Sequence, residues 1–180
     1  GVVEGIWKHL FVSTIFADTE GKQTSTDLGI KLGGELIAKY LTYSLVFANG
    51  EGYARPELNK AKDGYVLVTL TPIPDTLKGL KITAYHRAGL VNTNQKRDRS
   101  MVLLSLEQDG YTVAAEYLYS TDQSAQDKDN TIGQGYSGWG FYKLPYNFSL
   151  IGRYDLFDPD RDKTADTHYR VIYGIGYDIA

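Results

Sequence analysis

A period-two alternation recurs along this chain and constrains its fold more than any other feature. In the segment 169–179, Tyr169, Val171, Tyr173, Ile175, Tyr177 and Ile179 are large and apolar or aromatic, with Arg170, Ile172, Gly174, Gly176 and Asp178 between them. Successive side chains on a strand point to opposite faces, so the segment has one greasy face and one small or charged face. The same pattern is clear at Leu41, Tyr43, Leu45 and Phe47; at Tyr111, Val113, Ala115, Tyr117 and Tyr119; and at Phe148, Leu150, Gly152, Tyr154 and Leu156. Helical periodicity is almost absent. The pattern predicts ten strands, near 5–17, 26–34, 40–49, 64–72, 79–91, 99–108, 111–121, 135–143, 147–157 and 167–179, in a single domain over 1–180.

The connections carry as much information as the strands. They alternate long (18–25, 50–63, 92–98, 122–134, 158–166) and short (35–39, 73–78, 109–110, 144–146). Asp109-Gly110 between two alternating runs is a strong hairpin signal. All five prolines fall in connections or at a strand end, where a missing amide donor costs the ladder nothing. In an up-and-down meander, long/short alternation puts every long loop on one rim and every tight turn on the other. That sidedness is a property of outer-membrane barrels.

Charge follows the loops. The five long connections, with the third taken to residue 99, hold 52 of 180 residues but 23 of the 41 Asp, Glu, Lys and Arg. A water-soluble sheet usually spreads such residues along its wet face. The net charge of −3 leaves no global basic field, so no nucleic-acid partner is expected. The absence of cysteine excludes a disulfide framework, a zinc-thiolate site and a thiol nucleophile. Tyrosine, with 15 copies, is the unusual entry in the composition, and it favours both pleated surfaces and apolar–aqueous boundaries. The first residues lack the zones of a signal peptide. No run approaches the ~18 apolar residues of a transmembrane helix, a test that a β-barrel escapes.

Extending the strand phases gives a small-or-charged face that contains Asp27, Lys31, Lys81, Arg87, Glu116, Arg153, Asp155, Arg170 and Asp178. These are five positive and four negative charges, close to balance. Lining a lumen, they would set a transverse field and a mild selectivity. The plainer reading is that they pair across strands to remain solvated or satisfied.

Several segments, in order, resemble one family, the Gram-negative porins of the phosphate-selective porin O and P type. They are STDLGIKLGG (25–34), LTYSLVFANGEGY (41–53), LKGLKITAYH (77–86), AAEYLYS (114–120), GYSGWGFYKL (135–144) and IGRYDLFDPD (151–160). The resemblance implies a β-barrel in the outer membrane, a pore for small solutes and often a trimer. Family members are longer and commonly end in an aromatic residue, whereas this chain ends YDIA, so it reads as the middle of such a barrel or as a ten-stranded relative. The arginine ladder or lysine cluster of a phosphate channel is missing, and phosphate selectivity is not implied.

Other motifs point to no chemistry. In 158–166, Asp158, Asp160 and Asp162 alternate as in a calcium loop, but Lys163 takes the glycine position and Tyr169 the glutamate position, so a solvated acidic loop is expected. The segment 123–130 reads as a hydrophilic loop tip. GQGYSGWG (133–140) precedes no helix that could cradle a phosphate. His9, His86 and His168 lack ligand spacing, and no Ser-His-Asp set is readable. The expectation is therefore an antiparallel up-and-down transmembrane β-barrel in the outer membrane of a Gram-negative bacterium. It would use no cofactor, catalyse no reaction and pass small hydrophilic solutes or ions. The competing expectation is a soluble β-barrel that binds a small apolar ligand inside.

Overall fold

The computed structural model describes residues 2–8, 13–22, 28–49, 62–92, 95–123 and 129–178. Two short helices, α1 (Val2–Ile6) and α2 (Phe16–Thr19), precede nine strands. These are β1 (Gly29–Ile37), β2 (Leu41–Ala48), β3 (Asp63–Leu70), β4 (Leu80–Asn92), β5 (Gln95–Gln108), β6 (Tyr111–Gln123), β7 (Asn130–Lys143), β8 (Phe148–Asp158) and β9 (His168–Tyr177). They form one all-antiparallel meander in sequence order, with β1 and β9 as its two edges. No helix among the described residues is long and apolar enough to cross a membrane.

Among the described residues nine of the ten expected strands are present, and the first is not. The described residues of 5–17 do not join the sheet; they hold the end of α1, an extended stretch and the start of α2. Val3, Ile6 and Trp7 follow helical spacing and place their side chains on one side, and the Trp7 amide continues the ladder by donating to the Val3 carbonyl at 2.7 Å. Short apolar runs satisfy both the strand and the helix period, and here packing selects the helix.

The expected hairpin at Asp109-Gly110 is formed, with Gly110 at φ +95°, a conformation open to glycine at no steric cost. At the opposite rim two of the long connections are shorter than the sequence suggests. β4 runs to Asn92 and β5 begins at Gln95, while β6 runs to Gln123 and β7 begins at Asn130. Charged residues expected in loops, such as Arg97 and Asp122, are paired in the ladder instead. Both edge strands run from this rim toward the tight turns, so joining β9 to β1 antiparallel would take an odd number of strands between them.

One face of the sheet carries the N-terminal segment and the other is open. On the covered face Trp7, Ile15 and Phe16 pack among Met101, Leu103, Leu118, Trp139, Ile151 and Phe157. Trp7 meets Trp139 edge-on at 6.2 Å between ring centroids, and Phe16 meets Phe157 likewise at 5.9 Å. Burying one such side chain contributes about 1.5–3 kcal/mol or more, so these rings are what hold the segment on the sheet. Gly135 makes the approach possible. A Cβ there would lie 2.6 Å from the Phe16 ring and 2.6 Å from the Leu156 carbonyl.

Candidate functional site

Strand pairing settles where each predicted face residue lies. One row across the sheet reads Lys31, Val46, Tyr65, Arg87, Arg99, Ser120. A second reads Thr83, Leu103, Glu116, Ser137, Asp155, Arg170, and the row beside it holds Lys81, Ser105, Ala114, Trp139 and Arg153. Paired residues point to the same side, so Lys31, Lys81, Arg87, Glu116, Arg153, Asp155 and Arg170 share the covered face, as their phase predicts. Asp178 follows β9 in the same phase and is exposed. Asp27 lies outside the described residues.

Four of these residues are brought together. Arg153 Nε donates to Asp155 Oδ1 at 2.8 Å, and Ser137 Oγ donates to the same oxygen at 2.6 Å. Arg170 Nη1 reaches Asp155 Oδ2 at 3.4 Å. Glu116 lies one row position from Ser137 and is 3% exposed, yet neither carboxylate oxygen has a hydrogen-bond partner among the described residues. Arg87 forms a separate buried pair with Asp63, under which Tyr65 lies. Gly89 leaves the space that the Asp63 carboxylate fills. Lys31, Lys81 and Asp178 join neither group.

The N-terminal segment completes this network. Arg153 Nη1 donates to the Thr14 carbonyl at 2.6 Å, and its guanidinium lies 5.2 Å from the Trp7 ring centroid. Glu20 is held by His168 Nε2 at 2.9 Å and by Arg170 Nη2 at 3.2 Å. Beside it Lys22 Nζ reaches Asp122 at 3.0 Å, and Arg99 Nε donates to the Lys22 carbonyl at 2.9 Å. At the tight-turn end Lys8 pairs with Glu107 at 2.9 Å. Sequence reasoning missed Glu20, Asp63, Arg99 and His168. Arg99 has the phase of Met101 and Leu103, a signal that could have placed it on this face; Glu20 has no such signal.

The acidic loop has its own geometry. Asp160 pairs with Lys163 at 2.9 Å and accepts the Asp162 amide at 3.3 Å. The hydrogen bond from Lys163 holds the Asp160 carboxyl below its ordinary range. No three His, Asp or Glu among the described residues are placed to hold a metal ion. His9 lies outside the described residues; His86 Nδ1 shares a hydrogen bond with Ser100 Oγ at 2.9 Å.

The open face is apolar and banded. Leu104, Ala115, Gly138, Tyr154 and Val171 form its middle row. Toward the tight turns come Tyr111, Tyr142, Phe148 and Tyr177; toward the other rim come Tyr117, Tyr136 and Tyr169. Phe148 and Tyr177 rings lie 4.9 Å apart, and those of Tyr117 and Tyr136 lie 5.0 Å apart. Tyr169 to Tyr177 spans roughly 25 Å along the strand. No family model, curated protein or solved structure matches the chain.

Proposed function

We propose that this chain forms wall of an outer-membrane, porin-type β-barrel that passes small hydrophilic solutes or ions by diffusion. The observation that carries the reading is the opposition of the two faces. An unbroken apolar surface, with Val102, Leu104, Val113 and Ile175 exposed between aromatic belts, backs onto a face bearing Arg87, Arg99, Glu116, Arg153 and Asp155. A monomeric soluble protein rarely exposes an apolar patch of such extent, whereas a bilayer of about 25–30 Å requires one.

In this reading the open face meets lipid and the covered face is the lumen side. Filtering would rest on barrel radius and on the near-balanced charges, and no covalent step is involved. The soluble alternative places the apolar face inside around a ligand; here the greasy phase lies opposite the face that the N-terminal segment covers. Closure would join β9 to β1 through an odd number of further strands. The resemblance to phosphate-selective porins O and P supports a Gram-negative outer-membrane location and a trimeric assembly; phosphate selectivity is not part of the proposal. Refolding into detergent tests the proposal, with heat-modifiable gel mobility and conductance in planar bilayers as readouts. Absence of both refutes it.

A further inference from the structure

We infer that the described N-terminal residues, 2–8 and 13–22, act as a displaceable plug, and that the face beneath them is built to be wetted when the plug leaves. The inference rests on the pore reading for its meaning, though not for its test. A permanent core satisfies the polar groups it buries. This one leaves side-chain atoms of Tyr85, Arg87, Ser105, Glu116, Trp139 and Arg153 buried with no hydrogen-bond partner among the described residues. All six lie on the covered face of β4 to β8, the strands whose buried side chains join the cluster that Trp7, Ile15 and Phe16 enter. Their orphan atoms are a carboxylate, two guanidinium nitrogens, two hydroxyls and an indole N–H, groups that water would serve.

The attachments of the segment fit the same role. Its middle is held by apolar packing, the Arg153 bond to the Thr14 carbonyl and the Arg153 stack on Trp7. Its far end is latched by charge: Glu20 on His168 and Arg170, and Lys22 on Asp122. Arg170 also contacts Asp155, so loss of Glu20 leaves that guanidinium with a second carboxylate rather than stranded. A latch of exchangeable ion pairs over an unsatisfied polar floor is a two-state element; a fully satisfied core is not.

The chain has no cysteine, so single thiols report cleanly. Ser105 is 1% exposed and its hydroxyl has no hydrogen-bond partner among the described residues, which makes Ser105→Cys a near-neutral reporter under the plug; Ala114→Cys, 8% exposed, is a second should the first fail to fold. Each is labelled in detergent with a small charged methanethiosulfonate, with and without Glu20→Ala, after heat-modifiable mobility has established folding. Slow labelling that Glu20→Ala accelerates about tenfold is the expected result, since a charge-assisted hydrogen bond is worth about that factor. Equal rates with and without the latch, or fast labelling in both, overturn the plug. Conductance is read on the same variants. Latch-dependent labelling without conductance leaves the plug standing and removes the pore; conductance with latch-independent labelling does the reverse.

Discussion

Leu104→Arg separates a lipid-facing from a water-facing sheet. Leu104 is 49% exposed and stands in the middle row of the open face, between the belts that contain Tyr111 and Tyr117. A surface substitution on a soluble sheet, away from any packed feature, changes stability by no more than about 0.5 kcal/mol. At the bilayer midplane an outward arginine on a barrel costs about 2–4 kcal/mol, and near the interface about 0–1 kcal/mol. Thr121→Arg, on the same face but beyond the apolar rows near the end of β6, is the matched control. The expected difference between the two variants is therefore about 1–4 kcal/mol, read by denaturant titration of protein folded into phospholipid vesicles at constant m-value. Equal losses, or a loss at Leu104 below about 0.5 kcal/mol, would refute the assignment of this face to lipid.

Three further outcomes follow from the covered face and the loops. Asp63→Ala leaves Arg87 buried without its carboxylate and should cost ~3–5 kcal/mol, whereas Asp63→Leu with Arg87→Met should cost much less; denaturant midpoints compare them. Gly135→Val drives a side chain into the Phe16 ring and the Leu156 carbonyl and should cost about 1–3 kcal/mol, with red-shifted emission as Trp7 loosens from Trp139. Lys163→Met should return the Asp160 carboxyl upward to its ordinary range, as seen by NMR titration. Because the folded value is depressed, the contribution of this pair is present above the ordinary carboxylate pKa and lost as pH falls through the lowered one.

Much of this architecture was legible in the sequence because the side-chain period of a strand is strict. Once Tyr111, Val113, Ala115 and Tyr117 define one face, Glu116 must lie on the other, and the same logic places Arg87, Arg153, Asp155 and Arg170 correctly. Period alone says nothing about partners. Arg153 bonds Asp155 on its own strand, two residues away, and Arg170 reaches Glu20, 150 residues away; only register and a folded N-terminal segment create those contacts. That segment was misread as a strand because a short apolar run fits both periods, and Val3, Ile6 and Trp7 were the overlooked helical signal. The strand ends were misplaced because Arg97 and Asp122 look like loop residues until their pairing across β5 and β6 is known.

The central claim is that the open face meets lipid and the covered face does not. A nitroxide scan from Thr112 to Tyr119 along β6, in phospholipid vesicles, tests it directly. Collisions with oxygen and with a water-soluble nickel chelate are read at each position. The expected result is alternation, with oxygen favoured at 113, 115 and 117 and both probes excluded at 112, 114 and 116. Preferential collision with the nickel chelate at 113 and 115 would mean that this face is wet and would contradict the claim.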